Sequence, residues 1–138
     1  MKTLSRRSAF LLLVLLFWGC SGDVVSKLND ESIKGKKIAS LEVVASDPIT
    51  TKIIKDLLIL QGFRVGRSEY KIFAEHRSYK NSCNNALIKS SQNTQFDGMV
   101  YIELLQGEAK LFYAFMDYRG DPKSHFATLV KTLPITAH

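Results

Sequence analysis

Apolar positions along this chain recur at two spacings, and each spacing marks a different kind of element. Over residues 38–45, Ile38, Leu41, Val43 and Val44 crowd into a short run of strand formers, the pattern of a mostly buried central strand. Asp47-Pro48 ends the run and opens a helix. Aspartate can cap the free amide donors of the first turn, and proline at the first helical position loses no bond. Ile49, Ile53, Leu57 and Leu60 then recur at helical spacing, widened by Ile54 and Leu58, with Thr51, Lys52, Lys55 and Asp56 opposite. Gln61-Gly62 closes that helix, the glycine being suited to the left-handed position after a last turn. Phe63-Arg64-Val65 resumes as a short strand, and residues 69–74 extend through Tyr70, Ile72 and Phe73.

Alternation by two returns after Phe96-Asp97-Gly98. Val100, Ile102 and Leu104 point one way and Met99, Tyr101, Glu103 and Leu105 the other. Gln106-Gly107 supplies a turn. Residues 108–118 then return with Leu111, Tyr113 and Phe115 on one face and Lys110, Phe112, Ala114 and Met116 on the other. The two runs predict a β-hairpin. Neither face is cleanly polar, so the second is expected beneath a helix, the N-terminal segment or a partner. Tyr101, Lys110, Phe112 and Met116 form the candidate partner-binding face, with core packing as the competing reading. Arg119-Gly120-Asp121 matches an adhesion-receptor signal, but a turn accounts for all three residues: Gly120 turns the chain and Asp121 caps a helix with Pro122 at its first position. Phe126, Leu129, Val130 and Leu133 give that helix a packing stripe, and Pro134 ends it.

Residues 75–95 are rich in Asn and Ser and the hardest to read. A helix over residues 82–90, through Cys83, Ala86, Leu87 and Ile88, is expected because a compact domain rarely holds a long structureless loop. His76 and Cys83 match no metal-ligand spacing, and one histidine with one thiol does not complete a ligand set. No catalytic residue, metal ligand or cofactor site is assigned. Phosphate-gripping glycine loops, nucleophile elbows and paired metal histidines are absent from the sequence. The predicted architecture is a single small α/β domain of α+β-like layout. Two or three helices cover a mixed four-stranded sheet with a C-terminal β-hairpin. The strands at 38–45 and 63–65 should be parallel, joined across the first helix.

The first twenty residues follow another logic. Lys2, Arg6 and Arg7 precede nine unbroken apolar residues, Phe10 to Trp18, and then Gly19-Cys20. A charged front, a short apolar run and a small residue before the processing point describe a secretory signal peptide over residues 1–19. The run is too short to serve well as a transmembrane helix. Ser5-Arg6-Arg7 also fits a twin-arginine signal, but Phe10 comes one position late and the apolar run favours the general secretory route. Residues 20–36, with Ser21-Gly22-Asp23 and Lys34-Gly35-Lys36-Lys37, read as a flexible tether. The domain proper is expected over residues 37–138. Cleavage before Cys20 would leave 119 of the 138 residues, enough for one domain, and losing Lys2, Arg6 and Arg7 lowers the net charge from +6 to +3. That mild excess argues against nucleic acid as a partner. With Cys20 consumed, Cys83 stands alone and no intrachain disulfide forms.

Gly19-Cys20 resembles the lipobox of bacterial lipoproteins, although Phe17 and Trp18 depart from the Leu and small residue usual there. The resemblance implies diacylglycerol on the Cys20 thiol and an acyl chain such as palmitate on its amine. Ser21, where an aspartate would favour inner-membrane retention, implies the outer membrane with the domain in the periplasm; the inner membrane and cell surface remain alternatives. The mature chain is similar in layout to small α/β domains of envelope assembly and secretion lipoproteins. The similarity lies in the apolar first strand, Asp47 before a helix ending at Gly62-Phe63-Arg64-Val65, and Phe96-Asp97-Gly98 before the hairpin. It implies a non-enzymatic, membrane-anchored accessory lipoprotein that binds another envelope protein in an assembly, secretion or wall-maintenance complex. A small hydrolase, or a transporter of small apolar ligands or lipid, is the alternative. Oligomeric state is left open.

Overall fold

The computed structural model describes residues 22–79 and 96–138. The leader, Cys20, Cys83 and the helix expected over residues 82–90 lie outside the described residues. The described elements in chain order are β1 (Val25–Leu28), a 3-10 turn (Glu31–Ile33), β2 (Lys37–Ile38), β3 (Ser40–Ala45), α1 (Pro48–Leu60), β4 (Arg64–Val65) and β5 (Tyr70–Ser78). After them come β6 (Gly98–Gln106), β7 (Ala109–Tyr118), α2 (Pro122–Lys131) and β8 (Thr136–Ala137). This is a single small mixed α/β domain, and its sheet is larger than the four strands expected. Six strands join in the order β1-β7-β6-β5-β3-β4, and β2 pairs with β8 in a separate parallel ribbon. β4 and β5 both run parallel to β3, while β5, β6, β7 and β1 are antiparallel in succession.

The extra strands arise from main-chain pairing that side-chain periodicity does not report. Val25–Leu28 lies inside the stretch expected to be a flexible tether, yet it pairs with β7, Val25 opposite Phe115 and Lys27 opposite Tyr113. Its first three side chains are exposed, so its order comes from backbone hydrogen bonds, extended by Asn29 N–H donating to the Leu111 carbonyl at 2.8 Å. Ile38, expected to begin the first long strand, belongs instead to the short ribbon with Ala137. That ribbon ties the C-terminal tail back to the domain.

α1 begins as expected, with Asp47 as its cap accepting from Thr50 N–H at 2.8 Å and Pro48 in the first turn. Its buried stripe is turned relative to the sequence pattern. Thr50, Ile54, Leu57 and Leu58 face the core, whereas Ile49 and Leu60 are 74% and 83% exposed. Both stripes have helical spacing; the packing of α1 on β3 and β5 chooses between them. Thr50 can be buried because its hydroxyl donates to Asp47 Oδ2 at 2.7 Å. α2 follows its pattern, with Phe126, Leu129, Val130 and Leu133 all in the core.

One irregularity decides the faces of the hairpin. Leu104 pairs with Phe112 and Leu105 with Lys110, so Leu111 is an extra residue on β7. A β-bulge of this kind breaks strict alternation. Beyond it, Phe112, Ala114 and Met116 stand opposite Leu104, Ile102 and Val100 and share their buried face. Ile72 and Ala74 of β5 extend that face, and the apolar residues of both helices join the same cluster. The helices therefore cover one side of the sheet.

Candidate functional site

The candidate partner-binding set divides between the two faces. Phe112 and Met116 are 4% and 3% exposed and belong to the core. Tyr101 and Lys110 lie on the opposite face, where the bulge separates Lys110 from Phe112. The four residues therefore do not form one surface.

The surface that exists is built from alternate positions of β5, β6 and β7. Glu103 stands between Phe73 and Tyr113, and Tyr101 stands between Glu75 and Phe115. Four rings meet there: Phe73 contacts Tyr101 edge-on at 6.4 Å, Tyr101 and Tyr113 are near-parallel at 6.2 Å, and Tyr113 and Phe115 at 6.4 Å. Each of the four is half-buried, and none belongs to the core packed under the helices. Val44 and Val25, at the flanks, are exposed at 43% and 46%.

Glu103 sits within this aromatic bed with a side chain only 7% exposed. Lys110 Nζ lies 3.1 Å from its Oε1, at ion-pair distance without hydrogen-bond alignment, and that oxygen has no hydrogen bond among the described residues. A buried carboxylate oxygen without a donor is costly. Tyr101, beside it, has its hydroxyl pushed up to about 12, first by burial and then by the Glu103 charge and the hydrogen bond to it. Two further ion pairs lie on this face, Lys71 with Glu42 at 3.7 Å and Arg77 with Glu75 at 2.7 Å. Tyr113 and Phe115 escaped the sequence reading because unbroken alternation through the hairpin sets them on the face away from Lys110, and Phe73 joins Tyr101 and Glu103 only through the pairing of β5 with β6.

A second cluster closes the end of the sheet. Tyr118 bonds His76 Nε2 through its hydroxyl at 2.5 Å, and its ring lies 5.1 Å from that imidazole and 6.0 Å from His125. His125 Nδ1 is 2.8 Å from the Asp121 carbonyl and therefore carries the proton. A cleft of about 410 Å³ lies beside His125, lined also by Asp23, Val24, Met116, Ser124 and Thr128. Ser124 Oγ is held by the Asp121 carbonyl at 3.0 Å and lies 3.2 Å from His125 Nδ1. With Nδ1 turned to the backbone, the imidazole does not present a base to the serine, and these neighbours make a helix-start network. Among the described residues no group of three or more His, Cys, Asp or Glu could hold a metal ion. Arg119-Gly120-Asp121 forms the expected turn: Gly120 has φ 77°, its N–H donates to Asp97 Oδ2 at 2.8 Å, and Asp121 caps α2.

No protein-family model and no curated protein matches this chain. A solved structure, a PelC variant dodecamer from Paraburkholderia phytofirmans, aligns over 79% of this chain and 91% of its own at 15% identity and a TM-score of 0.43. An agreement of that size carries no argument about role. No described helix is long and apolar enough to cross a membrane.

Proposed function

We propose that this chain is a non-enzymatic accessory lipoprotein of the bacterial envelope. It is anchored through Cys20 in the outer membrane, faces the periplasm, and acts by binding an envelope protein through the open face of its sheet. The observation that carries the binding role is the aromatic surface of Phe73, Tyr101, Tyr113 and Phe115, half exposed around the nearly buried Glu103 carboxylate. Aromatic side chains combine large apolar area with a polar tip and few rotatable bonds, which suits them to protein interfaces. The anchor rests on the Gly19-Cys20 end of the leader; two acyl chains suffice for stable attachment, at about 0.8 kcal/mol per buried methylene.

A palmitate analogue fed to cells is expected to label the wild-type chain and not Cys20→Ser. In-cell crosslinking should recover a protein adduct from the wild type and lose it in a Tyr113→Ala, Phe115→Ala double variant. Equal labelling of both chains would remove the anchor from this reading, and an unchanged adduct would remove the sheet face.

A further inference from the structure

The chain ahead of β1 is already held against the domain at Gly22. β1 runs in register with β7, Val25 opposite Phe115 and Leu28 opposite Phe112. A Cβ on Gly22 would lie 2.9 Å from the Asp117 carbonyl oxygen and 3.1 Å from the Asp117 Cβ, so the segment keeps to β7 before the ladder starts. Asp23 and Val24 continue that path as one wall of the cleft whose other wall is Ser124, His125 and Thr128 of α2. A free tether over residues 20–36 would reach about 22 Å on average and about 55 Å fully extended. With Gly22 fixed, Ser21 alone separates the domain from Cys20, and two residues of chain span about 7 Å at most. Gly22 also marks one end of the sheet, where Asp117 pairs with Met99, Tyr118 with Gly98, and Gly98 with Ser78. The Arg119-Gly120-Asp121 turn and the first turn of α2 follow directly from Tyr118 and belong to that end. The turn between β6 and β7 lies at the opposite end, about 30 Å away along a strand of 10 residues.

We infer that this end of the domain rests on the phospholipid headgroups of the bilayer, with the strands leading away from the membrane. The inference rests on the reading of Cys20 as the lipid-bearing residue and states where that anchor puts the domain. A lipid on the Cys20 thiol holds the residue near the hydrocarbon boundary, and the headgroup layer outside that boundary is about 5–8 Å thick. A link of about 7 Å does not lift Gly22 clear of that layer, whereas the 22 Å average of a free tether would. The side chains at this end suit lipid phosphates. Arg119 and Lys123 are exposed there, while Asp97, Asp117 and Asp121 accept hydrogen bonds from Gly120 N–H, the Tyr79 hydroxyl and Lys123 N–H. The open sheet face is not the surface laid on lipid. Its cations Lys71, Arg77 and Lys110 stand beside Glu42, Glu75 and Glu103, so it presents no cationic field to an anionic leaflet. Phe115 stands opposite Val25, three residues on from Gly22, which starts the aromatic surface about 10 Å above the headgroup contact. A protein bound to that surface is therefore met within about 30 Å of the membrane, the length of the strands.

The test uses the full chain as cells process it, purified from membranes and reconstituted in vesicles of phosphatidylethanolamine and phosphatidylglycerol that carry a nitroxide on some headgroups. A fluorescent amino acid replaces Arg119, separately Lys123, and separately Glu108 in the turn at the opposite end. Quenching several-fold stronger at positions 119 and 123 than at 108 is expected. A spacer of about 12 Gly and Ser residues between Ser21 and Gly22, reaching about 19 Å on average, should remove the difference. In lipidated chains whose thermal melting matches the wild type, strong quenching at all three positions means a domain lying on its side, and weak quenching at all three means one standing off. Either result overturns the inference and leaves the anchor in place. A chain that takes up no palmitate analogue in cells overturns the anchor, and this inference with it.

Discussion

At Gly98 the chain has no room for a single methyl group. A Cβ there would overlap the Arg77 carbonyl oxygen and come within 2.6 Å of Tyr118 Cε1. Gly98 pairs with Tyr118 on one side and Ser78 on the other. Its missing side chain lets the Tyr118 ring lie over the central strand and reach His76, two strands away. Gly98→Ala must therefore push a backbone carbonyl or expel Tyr118, and overpacking of that kind costs about 1–3 kcal/mol or more. Gly66→Ala is the matched control, with nothing within 4 Å of its added carbon, and should stay within about 0.5 kcal/mol. Urea midpoints of the two variants check the contrast. In the sequence, Phe96-Asp97-Gly98 signals only a turn before a strand. The need for glycine follows from Tyr118, twenty residues away, and becomes visible only when β6 and β7 pair.

For α1, the existence of the helix and its two ends were legible, and its rotation was not. Asp47, Pro48 and Gly62 act through local backbone chemistry: a capping bond to Thr50 N–H, a fixed first-turn dihedral and a left-handed residue at φ 93°. Those signals do not depend on what the helix packs against. Seven of its thirteen residues are Ile or Leu, and more than one stripe through them has helical spacing. Leu58 is fully buried while Leu60 is 83% exposed. Leu58→Ala should thus lose about 2–5 kcal/mol through the cavity it leaves, whereas Leu60→Ala should stay within about 0.5 kcal/mol. Equal losses in denaturant unfolding would return Leu60 to the core. The hairpin repeats the lesson. Its strands and turn follow from alternation and Gln106-Gly107, but the extra residue at Leu111 has no composition signal, and it alone moves Phe112 and Met116 away from Tyr101.

Across the whole molecule, stability should be graded from the centre of the sheet outward. β5, β6 and β7 are paired along nine or ten residues and carry the buried face. β1 is an edge strand of four residues whose first three side chains are exposed, and β2 with β8 is a ribbon of two residues each. Amide hydrogen exchange should be slowest at Ile72, Ile102 and Ala114 and fastest at Val25–Leu28 and Thr136–Ala137, since edges open without global unfolding. Protection of β1 equal to that of β6 would contradict this gradient. Sequence alone determined what depends on neighbours along the chain: the helix starts, the glycine turn, the alternating strands and the apolar stripe of α2. Those features come from backbone dihedrals, capping bonds and side-chain period, all local quantities. Tertiary structure decided the recruitment of β1 and β8, the rotation of α1, the bulge, and hence which aromatic rings share the open face. Each of those is settled by hydrogen bonds and packing between residues far apart in the chain, where a shift of one residue exchanges the two sides of a strand.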